Sequence, residues 1–421
     1  MKEAFLQHCW QHGWFDGKDL QTADREPIRI VHRGEHNTHA GPDFLNARLR
    51  IGNTLWAGNV EIHTRSSEWY RHGHERDPAY NNVILHVVYD HDLPVSTQVG
   101  FELPVLELSQ RLDLNQVYRY QRWMENAQWI PCQQHLADLD NRHWKAWLYQ
   151  LVRQRLSRKA VALKHLLDEV NHDWEAMAYM ALCRSFGFKV NAEPFERLAR
   201  NTPWSVVRKH ASNRLQLEAL LLGQAGFLDG TIADDYPHKL QREYQFLRHK
   251  FGLTPMPRHS WKTMRMRPAN RPAIRLAQLA AVLHHLTSRL TDVLDNAAAW
   301  HRALEAPMAS YWQSHHAPDQ PARRPMKGLG ADSRRSLLIN TVAPLHVLLG
   351  QMRGRPELET QAIALLKALP PEHNAQVQRW RELGLHPANA AESQALLDLK
   401  ANYCSQKKCL NCRIGVRLLR A

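Results

Sequence analysis

The chain has 421 residues, enough for two or three domains with buried cores, since one domain takes roughly 100–200 residues. Its formal net charge of +14 at pH 7 favours a polyanionic partner such as nucleic acid. Apolar runs stay well below the roughly 20 residues of a membrane span, and six cysteines are too few for a secreted disulfide scaffold. We therefore expect a cytoplasmic protein without a membrane partner, and the oligomeric state stays open.

Residues 28–110 carry the patterns of β-strands. Gly52-Asn53 is typical of a tight turn between two of them. The nearly continuous apolar run 83–88 predicts a strand that is covered on both faces, with a helix or crossover at 69–77 leading to it. We predict a mixed α/β domain over residues 1–111, with strands at 28–33, 44–51, 54–63, 83–89 and 101–108.

Three polar residues of this domain have the spacing of a metal site. Side chains alternate along a strand, so Glu61 and His63 share a face, and a hairpin would bring Asp43 alongside them. Two carboxylates and one imidazole can hold a divalent ion beside a water, which suits metal-assisted phosphodiester hydrolysis. The alternative interpretation is a turn at Pro42-Asp43 followed by a solvated strand face.

Other polar residues lie near this motif in the sequence. Arg65 follows His63 in the same alternation and is a candidate for contact with substrate phosphate. His86, on the next strand, is expected to be a hydrogen-bonded core residue, and a position facing the same cleft is the alternative. His72 and His74 are interpreted as surface residues of the crossover, although phosphate contact is an alternative.

From about residue 112 the pattern becomes helical, which predicts a large, mostly α-helical domain over 112–421. The apolar residues of 144–152 have helical spacing and are expected in the core, whereas the basic residues of 153–164 are expected on a solvated face. Residues 307–332 are expected to form a long loop. Further helices are predicted at 173–186, 213–228, 237–250, 273–291, 294–306, 333–351, 357–368, 373–383 and 389–402.

Four arginines, Arg265, Arg267, Arg271 and Arg275, are candidates for binding nucleic acid. Two prolines are expected to hold this stretch extended before a helix. The N-terminal amides of a helix also favour anions. A structural role is the alternative for this stretch.

Short stretches at 34–37, 40–44, 58–63 and 83–88 resemble an uncharacterised bacterial family, domain of unknown function 2851 (DUF2851). The resemblance continues through 265–280 and the cysteine-bearing tail. The family label implies no activity. Its N-terminal domain in turn resembles the PD-(D/E)XK nuclease superfamily, which implies a restriction-endonuclease-like fold and metal-dependent cleavage of nucleic acid, with DNA favoured over RNA.

In that superfamily a mixed sheet presents an aspartate after a proline, then an acid-x-lysine pair on the next strand. The resemblance assigns Asp43 and Glu61 to the two acids, as ligands of Mg²⁺ or Mn²⁺. It implies that Glu35 is an additional catalytic acid on the first helix. The sequence departs from the pattern at His63, where lysine is usual. Histidine there can position or deprotonate the attacking water or bind the metal.

Three cysteines in the tail, Cys404, Cys409 and Cys412, have the spacing C-x₄-C-x₂-C. Closely spaced thiolates can bind one metal centre, and an iron–sulfur cluster or Zn²⁺ would need a fourth ligand, for which Cys132 is the best candidate. Some PD-(D/E)XK nucleases are similar in holding a [4Fe–4S] cluster, but their distant cysteine precedes the nuclease motif. The alternative is a set of reduced thiols in a basic loop.

Three functions follow from these patterns. The leading hypothesis is a metal-dependent nuclease whose helical domain grips nucleic acid. The second is a nucleic-acid-binding protein that retains a degenerate nuclease fold without turnover. The third is a metal-dependent hydrolase of a small phosphorylated molecule.

Overall fold

The computed structural model of the chain describes residues 1–138, 141–286, 290–326 and 328–421. It is a mixed α+β structure, 55% helical, with a mixed sheet in its N-terminal part, which confirms the predicted fold class at that level. The chain divides into a sheet unit, Met1–Trp147 with Leu399–Ala421, and a helical unit, Leu148–Asp398. The sheet unit thus extends past the boundary predicted at residue 111 and includes the tail.

The sheet unit combines one mixed β-sheet with short helices. Its elements up to residue 125 are α1 (Glu3–His12), β1 (Ile28–His32), β2 (Glu35–His36), β3 (Phe44–Ile51), β4 (Thr54–Arg65), α2 (Glu68–Arg71), β5 (Val83–Asp90), β6 (Val105–Glu107) and α3 (Leu114–Glu125). In the described residues the strand order is β1-β3-β4-β5-β6, and β2 pairs with β3 outside this path. The β1–β3, β2–β3 and β3–β4 pairs are antiparallel, whereas β4–β5 and β5–β6 are parallel.

The predicted strands are present, although β6 is shorter than expected. The turn at Gly52 joins β3 to β4, with Ile51 opposite Thr54, and Gly52 has the positive φ of 56° that glycine tolerates. All six residues from Val83 to Val88 are buried, which confirms that β5 is covered on both faces. The predicted crossover contains α2 and two 3₁₀ turns, at His74–Arg76 and Pro78–Tyr80.

Helix α1 has no counterpart among the predicted elements. Its apolar side chains Phe5, Leu6, Cys9 and Trp10 are buried, and they recur at the spacing of one helical face. Phe5 stacks on Tyr120 of α3, with the ring centroids 4.9 Å apart. Burial of one such aromatic side chain contributes roughly 1.5–3 kcal/mol, so this contact fixes α1 against α3.

The helical unit is built from the helices between the sheet and the tail. They are α4 (Asn141–Glu169), α5 (Trp174–Phe186), α6 (Ala192–Asn201), α7 (Trp204–Val207), α8 (Arg214–Gln224), α9 (Asp235–Phe251), α10 (Pro272–His285), α11 (Ala297–Leu304), α12 (Tyr311–Ser314), α13 (Ala331–Leu337), α14 (Ala343–Arg353), α15 (Glu357–Ala368), α16 (Ala375–Glu382) and α17 (Ala390–Leu399). Helix α18 (Arg413–Arg420) follows in the tail. The sequence predicted most of these positions but not α6, α7 or α18. Residues 287–289 of the predicted helix 273–291 lie outside the described residues.

The segment 307–332 differs from the predicted long loop. It contains α12 and a two-stranded hairpin of β7 (His315–Ala317) and β8 (Gln320–Pro321), and residue 327 lies outside the described residues. The hairpin forms because Asp319, with φ of 55°, closes a tight turn and its N–H donates to the Tyr311 hydroxyl over 3.0 Å.

The apolar residues predicted as core at 144–152 are buried, Trp147 and Leu151 among them. The basic face that follows is not simply solvated. Arg155 and Arg158 both pair with Asp398, whose side chain is fully buried. A carboxylate in the interior requires cationic partners, which explains why these two arginines turn inward. None of the described helices has the length and apolarity needed to cross a membrane.

Candidate functional site

Asp43 and Glu61 are held side by side by two backbone hydrogen bonds. The Asp43 N–H donates to Glu61 Oε2 over 3.0 Å, and the Ile62 N–H donates to Asp43 Oδ2 over 3.1 Å. The β3–β4 hairpin makes this possible, because it pairs Phe44 with Val60 and so places residue 43 beside the next residues of β4. The structure thus brings together the two carboxylates that the sequence singled out.

The turn before Asp43 is closed by its own hydrogen bonds. The Asn37 N–H donates to the Asp43 carbonyl over 2.7 Å, and the Asn37 side chain donates to the Pro42 carbonyl over 3.0 Å. Gly41 has a φ of +101°, in the region that only glycine adopts readily. The Gly41-Pro42-Asp43 motif therefore fixes the direction in which the chain enters β3.

His63 lies at the centre of a histidine cluster. Its Nδ1 lies 2.9 Å from His86 Nε2, and its Nε2 lies 3.1 Å from His72 Nδ1. Glu61 Oε1 lies 3.3 Å from His74 Nε2 and 3.6 Å from His63 Nε2. Within the described part of the chain, His63, His72 and His74 are the one group of three or more ligands whose atoms all lie within 4.8 Å of one another.

Two local features assemble this cluster. Glu61 lies opposite His86 in the parallel β4–β5 pair, so their side chains and that of His63 share one face of the sheet. His72 caps the end of α2, and Gly73, with φ of +75°, turns the chain before His74. The expectation that His74 lies on the surface is wrong, since it is buried, whereas His72 is exposed and His86 is a hydrogen-bonded interior residue as predicted.

Helix α1 contributes a glutamine that contacts Asp43 and links it to an acidic residue. Gln7 Nε2 donates to Asp43 Oδ1 over 2.9 Å and to Glu3 Oε1 over 3.1 Å. Glu35, predicted on the first helix, instead lies exposed on β2 opposite Leu45, because its segment pairs as a strand with β3. The signal that could have identified Glu3 and Gln7 is their i, i+4 spacing beside the apolar face of α1.

Burial shifts the pKa values of the site in opposite directions. Burial raises the pKa of Asp43 to about 7, and the nearby charge of Glu61 raises it further. Burial also raises the pKa of Glu61 to about 8, with a smaller effect from the charge of Glu3. Burial lowers the pKa of His63 to about 3, and His74 and His72 lower it further. The carboxyls thus favour the neutral acid and the imidazole favours the neutral base. A bound cation would stabilise ionised carboxylates beside neutral imidazoles, so the donor set fits a divalent metal.

Arg65 lies at the exposed end of β4. Its Nε is 3.7 Å from Asp90 Oδ2, and both side chains are more than half exposed. An exposed pair of this kind contributes at most about 1 kcal/mol, so the guanidinium can exchange this partner for another anion.

Of the four arginines predicted to bind nucleic acid, three are accessible and one is buried. Arg265 and Arg271 line a cavity of about 660 Å³ together with Arg258, and Arg267 is exposed. Helix α10 begins at Pro272, one residue before the predicted start, and follows a 3₁₀ turn instead of a fully extended segment.

Arg275 is an interior residue. Only 5% of it is exposed, and its guanidinium donates to Asn270, Gln278 and Ser333 over 2.6, 2.9 and 2.9 Å. Its Cζ also lies 4.3 Å from the centre of the Phe188 ring. The structure therefore gives Arg275 a packing role and does not expose it to phosphate.

The fold and the site define a mixed α+β protein with a half-buried centre of carboxylates and histidines. The chain belongs to the DUF2851 family of proteins of unknown function, whose family model matches residues 3–375. No curated protein and no solved structure matches the chain.

Proposed function

We propose that this protein is a metal-dependent nuclease that hydrolyses phosphodiester bonds at the site formed by Asp43, Glu61 and the histidine cluster. The observation that carries the proposal is the convergence of two carboxylates with His63, His72 and His74. An aspartate after a proline and an acid on the next strand are also the pattern of the PD-(D/E)XK superfamily. A restriction-endonuclease-like fold of the N-terminal domain, 1–111, is part of the proposal.

The donor atoms favour Mn²⁺ over Mg²⁺. Carboxylate oxygens suit Mg²⁺ and Mn²⁺, whereas imidazole nitrogens suit transition metals. The residues that would hold the ion are the histidines His63, His72 and His74 together with Glu61. Glu61 Oε1 lies 3.6 Å from His63 Nε2 and 3.3 Å from His74 Nε2, and the Asp43 N–H donates to the other oxygen of Glu61. When bound, such an ion polarises the scissile phosphate and lowers the pKa of a water molecule.

His63 serves as a metal ligand in this proposal, and not as the general base. A base is most effective when its pKa lies near the working pH, but burial lowers the pKa of His63 to about 3. A neutral imidazole is the form that binds metal. Asp43, whose Oδ2 accepts a hydrogen bond from the Ile62 N–H beside Glu61, is the carboxylate that we propose accepts the proton of the attacking water.

Nucleic acid is the proposed substrate because of charge. The net charge of +14 supplies a general attraction to phosphates, and Arg65 projects from the end of the strand that carries Glu61 and His63. In the helical unit, Arg265 and Arg271 line a cavity that an anion can enter. We propose DNA ahead of RNA as the polymer to test.

The test is a cleavage assay of the full chain on labelled DNA and RNA, each single- and double-stranded, with Mn²⁺ and Mg²⁺ added separately. We expect Mn²⁺-dependent products that fall to background in Asp43→Asn and Glu61→Gln, because both changes remove a carboxylate while keeping its shape. The matched control is Glu102→Gln, an exposed carboxyl of the same unit, which should retain cleavage.

Retention of full metal-dependent cleavage in both site variants would overturn the proposal. Binding of nucleic acid without product in either metal would favour the non-catalytic alternative. Turnover of nucleotides without cleavage of polymers would favour the small-molecule hydrolase.

A further inference from the structure

Four cysteines from distant parts of the sequence meet in the sheet unit. Cys132 follows α3, whereas Cys404, Cys409 and Cys412 come from the tail. The tail is tied to the segment around Cys132 because Lys400 Nζ donates to the Trp129 carbonyl over 2.7 Å. Lys407 Nζ also donates to the Asn126 carbonyl over 3.2 Å. These two contacts join residues that are 271 and 281 positions apart in the sequence.

The four thiols are free, and they lie within electrostatic reach of one another. Burial raises the pKa of Cys404, and Cys412, Cys132 and Cys409 raise it further. Cys132, Cys409 and Cys412 are each less than a tenth exposed. Cys404 is partly exposed. Thiolates that converge in this way are typical ligands of a bound metal centre.

The start of α18 lies against the tail cysteines. Cys412 is the N-cap of α18, and the backbone amides of Ile414 and Gly415 lower the pKa of its thiol, whereas burial raises it. Gly415 packs so closely that a Cβ there would lie 2.3 Å from the Cys409 carbonyl oxygen. Glycine at this position thus lets the helix start lie directly against the cysteine loop.

The spacing of the sulfurs distinguishes a cluster from a single ion. Two thiolates bound to one Zn²⁺ lie at most roughly 4.6 Å apart, twice the Zn–S bond length. Among the described residues, the groups of three or more ligand atoms that all lie within 4.8 Å of one another do not include three of these cysteines. Sulfurs with a wider spacing suit the larger core of an iron–sulfur cluster, which is bound by four cysteines.

We propose that Cys132, Cys404, Cys409 and Cys412 bind a [4Fe–4S] cluster, one cysteine to each iron. This inference stands apart from the proposed nuclease activity, since it depends on other residues and its readout is spectroscopic. The cluster would join the tail to α3, and Arg119 of α3 already donates to the Leu418 carbonyl of α18.

The test is anaerobic purification of the full chain with iron, sulfide and zinc analysis. We expect about four iron and four sulfide per chain, absorbance at about 400 nm, and an electron paramagnetic resonance signal after reduction. Cys132→Ser is the sharpest variant because this residue lies outside the tail, and it should lose most of the iron. The matched control is Cys9→Ser, a buried thiol of the same unit, which should keep it.

Variants that purify poorly are examined by reconstitution of the wild-type and variant apoproteins with iron and sulfide, with circular dichroism as the check of folding. A folded Cys132→Ser or Cys404→Ser protein that regains the full cluster would overturn the assignment. So would one zinc per chain without iron, or the absence of both metals from the wild-type protein before and after reconstitution.

Discussion

The Nδ1 of His63 shares a hydrogen bond with the Nε2 of His86, 2.9 Å away, in the interior of the sheet unit. His86 has no exposed surface, so its ring is held by packing. Because one nitrogen of His63 is fixed in this way, the other is directed towards Glu61 and His72. The interior residue His86 thus determines the orientation of a candidate metal ligand.

We predict that His86→Phe lowers Mn²⁺ affinity about 10–100-fold, the usual effect of removing an outer partner of a ligand. Phenylalanine keeps a ring of similar size but cannot hydrogen-bond to His63. Calorimetric titration with Mn²⁺ measures the effect. His39→Phe, at an exposed position, is the control, and equal affinity in both variants would contradict the role assigned to His86.

His63→Gln distinguishes a metal ligand from a general base. Since burial lowers the pKa of His63 to about 3, we expect this variant to lose Mn²⁺ affinity while the pH profile of its residual cleavage keeps its shape. Mn²⁺ titration and rates measured across pH provide the two readouts. Unchanged Mn²⁺ affinity with loss of one limb of the pH profile would identify His63 as the base instead.

Gln7→Leu tests the contribution of α1. This change removes the donor to Asp43 Oδ1, so we expect Asp43 to be less well positioned and cleavage to fall about 10–100-fold. Gln11→Leu, an exposed glutamine of the same helix, is the matched control and should cleave normally. If the two variants cleaved equally, the α1 contact would have no functional role.

Arg271 and Arg275 should respond differently to substitution. The double variant Arg265→Ala/Arg271→Ala should bind nucleic acid more weakly. The slope of its log affinity against log salt concentration should fall by about 1 for each phosphate contact that is lost. Arg275→Ala should instead lower the free energy of unfolding by about 2–4 kcal/mol, since it removes interior hydrogen bonds and the contact with Phe188. Fluorescence anisotropy at several salt concentrations and denaturant unfolding separate the two effects. Unchanged binding in the double variant would remove the cavity from the proposal.

The buried carboxyl of Glu218 should make the stability of the helical unit depend on pH. It accepts hydrogen bonds from Trp312 Nε1 and the Tyr236 hydroxyl over 2.6 and 3.0 Å, and burial raises its pKa from 4.5 to about 7. Below pH 4.5 Glu218 is protonated in both the folded and the unfolded chain, and it stabilises the fold fully. Between pH 4.5 and 7 only the unfolded chain ionises at this residue, so the free energy of unfolding falls as pH rises. We expect Glu218 to account for a decrease of roughly 3 kcal/mol, and Glu218→Gln should remove this part of the pH dependence in denaturant unfolding. The same slope in both proteins would contradict it.

The sequence predicted the sheet well because its signals are local. The alternation in β4, the apolar run of β5 and the Gly52 turn each identify an element from neighbouring residues alone. The pairing of Asp43 with Glu61 followed from the same local pattern, since a short hairpin leaves few possible registers.

Contacts between distant segments account for what the sequence did not predict. Glu3 and Gln7 meet Asp43 only through the packing of α1, and His74 becomes buried only because the crossover folds onto the sheet. Arg275 looks like a phosphate ligand in a row of arginines, but its partner Phe188 lies far away in the sequence.

The composition of the sheet unit constrains the order in which it forms during synthesis. The sheet unit contains residues from both sides of the helical unit in the sequence. The contact between α3 and α18 therefore cannot form until all of Leu148–Asp398 has been synthesised. At about 5–20 residues per second, this delay lasts roughly 10–50 s. During that time the helical unit, which is continuous in sequence, can fold first, while the surface of the sheet unit that the tail later covers stays exposed to chaperones and proteases.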